Sequence, residues 1–288
     1  MTMDGFADDL RQASVIARNE VEKFLRSRKM LLFGALMALV LVLITVLPYA
    51  LGDGYSGSYQ MALIFVSFAT MIVELSGVLF TATSISSEYE ERTALILFTR
   101  PVRKRSIYVG KLIASIAVVG LFALIYYLYL VVFSFACFGE IADGLWKSAG
   151  LTAVHVLAVT GLCMLMSAVF RKSSTASIMS IVFMMFLLSF ITQLIATFSS
   201  IPTWWGFNES SSAIIYALGS FDMMGDPIVY SGAELWRSLY VMAGWAVATN
   251  IAAYIVFRRR EFRRPGRIPD AGSSIDGSSS LPISLRRI

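Results

Sequence analysis

Residues 84–112 read SISSEYEERTALILFTRPVRKRSIYVGKL, a charge-dense stretch lying among apolar blocks of membrane-spanning length. A hydrocarbon core of about 30 Å needs roughly 20 apolar helical residues. The chain supplies that length six times, at 31–51, 60–83, 107–138, 152–170, 175–198 and 235–257. Two blocks precede the stretch, the third begins inside it, and three more follow. The fold class read from this pattern is an all-α integral membrane protein with six transmembrane helices. Composition agrees: 57% of the 288 residues are hydrophobic and 15% charged, where a soluble domain carries about 25% charged residues. The third block is longer than the hydrocarbon requires at about 1.5 Å per residue. It is expected to tilt, or to begin in the headgroup layer around Gly110 and Lys111.

Orientation is read from lysine and arginine. Of the 24 basic residues, all but Lys147 and Arg237 fall before the first block, between the second and third taken through Lys111 at the start of the third, between the fourth and fifth, or after the sixth. The positive-inside rule then makes both termini cytoplasmic and the protein a multi-pass component of the cell (plasma) membrane. The net charge of +5 points to anionic headgroups of the lipid bilayer, not to nucleic acid, because the basic residues sit beside apolar spans. Ahead of the first span, residues 8–29 carry Leu10, Ala13, Ala17, Val21, Phe24 and Leu25 at three- and four-residue spacing, opposite Arg11, Arg18, Glu22 and Arg26. That pattern predicts an amphipathic interfacial helix. A longer outer segment, 199–234, holds Trp204, Trp205 and an apolar run at 213–218, which suggests a piece dipping into the outer interface. Its Asn208-Glu209-Ser210 matches the glycosylation sequon. The tail at 258–288 is rich in Gly, Ser, Pro and Arg and reads as disordered.

Most soluble chemistry is excluded by what the sequence lacks. There is one histidine, His155, so histidine-cluster metal sites are impossible, and no cofactor-binding or metal motif appears. No GxxxxGK[ST] occurs, so this chain does not itself cradle a nucleotide phosphate. Cys137 and Cys163 lie in apolar surroundings without metal-ligand spacing and read as buried fillers. Met179, Met184 and Met185 of the fifth span read as packing. Four intramembrane polar candidates remain: Glu74, His155, Gln193 and Asn250. An acid in hydrocarbon is costly unless protonated, paired or facing water, so Glu74 is either functional or a protonated acid bonded to a neighbouring helix. His155 and Gln193 fall toward the outer third of their spans and are expected to meet by hydrogen bonding between helices. Glu74 is expected at a different depth from His155, which argues against an intramembrane enzyme built on the two.

Within residues 84–106, Glu88, Glu90 and Glu91 place negative charge near the start of a short helix, where the helix dipole favours it. Thr93, Leu95 and Leu97 belong to an apolar run, Pro101 ends the helix, and Arg103 to Arg105 mark the return to anionic lipid. At these residues the chain resembles the permease subunits of type-2 ABC transporters. Their second-to-third connection typically reads E-x-E-x-G-T-L-x-x-L-L-x-x-P-V-S-R, followed shortly by G-K. Here the pattern becomes Glu88, Glu90, Thr93, Leu97, Arg100-Pro101-Val102, Arg103 or Arg105, and Gly110-Lys111, with Arg92 in place of the glycine and Ala94 in place of the leucine.

The resemblance implies the membrane-spanning subunit of an ATP-driven exporter, with copper-maturation-type permeases as one branch of the family. It would not be an enzyme itself, and ATP and Mg would be bound by a separate ABC ATPase subunit. A second permease copy or paralogue would complete a dimer. Residues 84–106 would then be a coupling segment seated on the ATPase, and Arg171 and Lys172 a second, smaller contact. The alternative from another class is a non-transporting membrane scaffold or sensor that recruits a cytoplasmic partner through the same segment.

Overall fold

The computed structural model describes residues 3–52, 54–90, 104–199, 202–221, 227–228 and 232–259. Six helices long and apolar enough to cross a membrane run over Arg28–Leu51, Ser58–Glu88, Lys104–Phe138, Leu145–Val169, Ser173–Phe198 and Gly232–Arg259. The elements in chain order are α1 (Met3–Leu25), α2 (Arg28–Leu51), α3 (Ser58–Ser76), α4 (Ser86–Glu90), α5 (Lys104–Phe138), α6 (Leu145–Val169), α7 (Ser173–Ile181), α8 (Leu188–Phe198), α9 (Phe207–Tyr216) and α10 (Gly232–Arg259). A two-residue antiparallel ladder joins Ser220–Phe221 to Pro227–Ile228. Two spans are interrupted by π-helical turns. Gly77–Thr81 follows α3, and Val182–Leu187 joins α7 to α8.

The spans show large apolar side chains on their outer flanks, among them Leu124, Phe135, Phe186 and Phe190. Lipid, not water, is the solvent such faces fit, because every backbone group inside them is already satisfied by the helix. The core lies where helices meet: Phe33, Phe65, Phe80, Phe122, Tyr126 and Leu130 are all nearly or fully buried in one cluster. Edge-to-face and stacked ring pairs such as Phe33–Phe122 at 4.7 Å and Phe80–Phe122 at 5.6 Å knit α2, α5 and the π-helical turn after α3 together.

α1 is turned onto the bundle. Its Ala13, Ala17 and Phe24 are buried, and a Cβ on Gly110 of α5 would stand 2.9 Å from the Ala13 carbonyl oxygen. The missing side chain at Gly110 is what lets α1 lie directly on the start of α5. Leu25, which the periodicity assigns to the apolar stripe, is 47% exposed. The face of α1 that packs on the bundle is narrower than the apolar stripe read from the sequence.

α6 begins at Leu145, seven residues before the sequence-based boundary. Lys147, Ser148 and Gly150 dilute the hydropathy of that turn, but Tyr127 of α5 holds it, its hydroxyl bonding Ser148 at 2.9 Å and Thr152 at 2.8 Å. In the outer segment, α9 enters the bundle: Phe207, Ala213 and Ile214 are buried. The sequon serine, Ser210, is fully buried, and Asn208 donates to the Ser189 hydroxyl. That triplet is a packing element. Cys163 is buried as expected, whereas Cys137 is exposed on the flank of α5, where a small thiol faces outward at no greater cost than its apolar neighbours.

Candidate functional site

The charged end of the bundle is built around Lys111. This lysine is 1% exposed, and its Nζ lies 2.9 Å from Glu20 Oε1 of α1 and 2.7 Å from Glu88 Oε1 of α4. It also donates to the Ser84 carbonyl at 2.9 Å. A buried ammonium is tolerable only when its three protons are satisfied and its charge is balanced, and this geometry meets that condition with two carboxylates and one backbone carbonyl, drawn from α1 and from the stretch 84–88. Arg11, Gln12, Val15, Lys23 and Ile107 surround the cluster around a cavity of about 510 Å³. Glu88, read from the sequence as a partner contact, pairs with Lys111 of its own chain.

The start of α4 is fixed from α6. The Ser167 hydroxyl accepts from the backbone N–H groups of Ile85 at 2.9 Å and Ser86 at 3.1 Å. Those donors would otherwise be orphaned at a helix start. At the end of α4, a Glu90 carboxylate oxygen accepts from the Ser173 backbone N–H at 3.0 Å. That bond, with Lys172 and Lys29 nearby, holds the Glu90 carboxyl below its ordinary range. Arg171 and Lys172 are exposed beside it. The structure therefore brings together the two places that the sequence treats as separate contacts, the 84–106 segment and the Arg171–Lys172 turn.

The far end of the segment is tied as well. Arg105 Nε donates to the Tyr254 hydroxyl at 3.2 Å, and the Tyr108 hydroxyl donates to the Asn250 carbonyl at 3.1 Å and to its Oδ1 at 3.2 Å. Asn250 itself donates to the Ala246 carbonyl within α10. Glu91, Arg92, Thr93, Leu95, Leu97, Arg100, Pro101 and Arg103 lie outside the described residues. The described anchors on either side connect the ends of that stretch to α1, α5, α6, α7 and α10.

Because Glu90 is depressed in the folded protein, its bond to Ser173 is intact near neutral pH. It is lost only as pH falls through the lowered Glu90 value, below the usual carboxylate range. Glu90→Gln is accordingly expected to speed hydrogen exchange at the Ser173 amide at pH 7, with the overall melting temperature little changed. The two proteins should converge at low pH, and unchanged exchange at pH 7 would show that the bond does not hold in solution.

Deep in the bundle, the four polar candidates do not pair as the sequence suggests. His155 is fully buried, and its Nε2 lies 3.8 Å from Glu74 Oε1, so the two occupy one level. Gln193 is exposed on the flank of α8 and does not meet His155. The sequence-based depths counted residues from assumed span ends, and the early start of α6 moves His155 a further two turns into its helix. Phe207 of α9 covers the imidazole with ring centroids 5.3 Å apart, and neither ring nitrogen has a hydrogen-bond partner.

Among the described residues no group of three or more His, Cys, Asp or Glu is placed to hold a metal ion. The arrangement is one of six spanning helices, an amphipathic helix laid on the third of them, and a charged segment anchored at both ends. The model of the ABC-2 family transporter protein matches residues 14–262, from within α1 to just beyond α10. A relative named "Uncharacterized membrane protein YdbK" from Bacillus subtilis (strain 168) is 23% identical over 206 residues, which is 67% of this chain and 79% of the relative. With the family pattern running through every span and across the anchored segment between them, the chain belongs to the ABC-2 family of transporter proteins, as a membrane-spanning component.

Proposed function

We propose that the chain is the permease subunit of an ATP-driven ABC exporter, that residues 84–106 couple it to a separate ATPase subunit, and that it works as a dimer with a second permease copy or paralogue. The observation that carries this reading is the Lys111 cluster. One buried cation joins Glu20 of α1, Glu88 at the entry to the coupling segment, and the Ser84 carbonyl at the end of the second span. A displacement imposed on the segment from outside is passed to α1 and α5 together, because a buried ion cluster resists being pulled apart. The Glu90–Ser173 bond adds the turn before the fifth span. In this reading both termini, the segment and the Arg171–Lys172 turn are cytoplasmic, the membrane is the plasma membrane, and ATP with Mg binds only the partner.

The test is association with the ATPase. Co-purification from native membranes is expected to recover a nucleotide-hydrolysing subunit with the wild-type chain. Glu91→Lys, or removal of residues 93–98, is expected to abolish that recovery while the chain still inserts. Undiminished recovery and undiminished stimulation of ATP hydrolysis in both variants would overturn the coupling role.

A further inference from the structure

Glu74 is the one acid between residues 60 and 83 of the second span, and the structure gives it an unusual setting. Its carboxyl borders a cleft between the second and fifth spans lined by Met71, Val78, Ile181, Met184 and Met185, all apolar. Its side chain is 19% exposed, and among the described residues no lysine or arginine pairs with it. Behind it stands His155, fully buried with both ring nitrogens unpartnered. A carboxyl at this depth is stable only with a proton or a cation beside it, so a cation that displaces the proton would find a ready counter-ion here. At the cleft's inner wall Met184 meets the Cys163 thiol, sulfur to sulfur, at 3.8 Å. Met71 and Met185 are exposed at its outer lip. Methionine-lined surfaces adapt to ligands of varied shape, since the side chain is flexible and polarizable.

Both walls of the cleft carry a π-helical turn at this level. Gly77–Thr81 begins three residues after Glu74, and Val182–Leu187 contains Met184 and Met185. Such turns break the regular backbone ladder and recur at functional sites. The fifth span, moreover, touches the bundle along a single stripe: Ala176, Ser180, Met184, Leu188 and Thr192 are buried, and much of the remainder is exposed. In the conformation described here the cleft encloses only about 10 Å³, roughly the least that admits a single water. A larger ligand enters only if that lightly held wall moves outward.

The geometry points to a binding site for a lipophilic organic cation, one whose charge is surrounded by apolar groups, with Glu74 as its counter-ion, His155 as the polar backing of the carboxyl, and the methionines as its apolar walls. The inference rests on the permease reading and assigns it a substrate class. A neutral apolar ligand would gain nothing from an acid in this position, and an anion would be repelled by it. Entry is lateral, from the flank on which Met71 and Met185 are exposed.

The site can be tested on the full chain in nanodiscs without any ATPase, so that failure here is distinguishable from failure of the coupling role. The probes are tetraphenylphosphonium and tetraphenylborate, which share a shape and differ in the sign of their charge. Saturable binding of the phosphonium is expected for the wild type, with little or none of the borate. Glu74→Gln, nearly isosteric, is expected to weaken phosphonium binding by at least about tenfold, as loss of a charged contact in a low-dielectric site requires. Glu74→Asp should retain the preference for the cation. Met185→Trp, which fills the mouth and leaves the carboxyl in place, should also abolish binding and serves as the deciding variant should Glu74→Gln fail to fold. Equal binding of both ions would mark an ordinary lipid-facing groove. That result, absence of saturable phosphonium binding to the wild type, or unchanged binding in folded Glu74→Gln would overturn the inference.

Discussion

Lys111→Met is expected to destabilise the protein by about 3–5 kcal/mol, the cost of removing one partner from a buried ion cluster. The reason lies in what it leaves behind. Glu20 and Glu88 both approach the position of the lost ammonium, at 2.9 and 2.7 Å from it, and without it two carboxylates face each other in a place with little water. The Ser84 carbonyl loses its donor as well. Thermal unfolding followed in detergent or nanodiscs should show a large drop in melting temperature. The triple variant Lys111→Met, Glu20→Gln, Glu88→Gln removes the stranded charges and is expected to recover much of that stability, since apolar or neutral replacement of a whole buried cluster is often close to neutral. Coupling should not recover with it. If the cluster transmits motion from the segment to α1 and α5, the triple variant folds, still binds the ATPase, and stimulates hydrolysis poorly. A triple variant that matched the wild type in stimulated hydrolysis would confine Lys111 to a structural role.

Gly161→Leu is expected to be the other severe change. α10 lies directly over Gly161 of α6, where even a single added Cβ would stand 2.6 Å from Asn250 Nδ2 and 3.3 Å from the Ala246 carbonyl oxygen, and would also run into the Thr249 hydroxyl. One of these neighbours is backbone of α10, which cannot rotate away as a flexible side chain would. Overpacking of this kind costs about 1–3 kcal/mol and sometimes more, and small residues at helix crossings in membranes permit the contact that stabilises them. The effect should reach beyond the crossing, because Asn250 is also the acceptor for Tyr108, one of the anchors at the far end of the charged segment. Gly161→Ala should show a smaller loss in the same direction. Equal melting temperatures for wild type and Gly161→Leu would mean that the two helices are held apart in the native membrane.

Much of the architecture was legible before the structure was known, and for a definite reason. Whether a segment can span a bilayer depends on its summed hydropathy and length, both local properties, so the six spans are readable by inspection. The charged stretch at 84–112 was legible because its composition contrasts with everything around it. The third span runs 35 residues, Lys104–Phe138, and its excess length was also visible, although what occupies that excess was not. Less legible were the contacts between spans. A helix apolar on every side has no periodic stripe by which to tell which face is buried, so the sequence could not show that Gln193 points outward while His155 points in.

The charged stretch illustrates the division. Residue types alone established that it is a polar connection between spans, acidic at its beginning and basic at its end, in a membrane protein without a nucleotide-binding motif of its own. Only the tertiary structure decided that Glu88 is paired within the chain, that Lys111 is buried, and that Glu74 and His155 share one level. Lys111 and Glu20 are 91 residues apart, and their meeting depends on the rotation of α5 and on the missing side chain at Gly110 that admits α1. Spacing along a chain specifies which residues share a face of one helix. It does not specify which face of another helix comes to meet them, because that is settled by packing among all of the helices together.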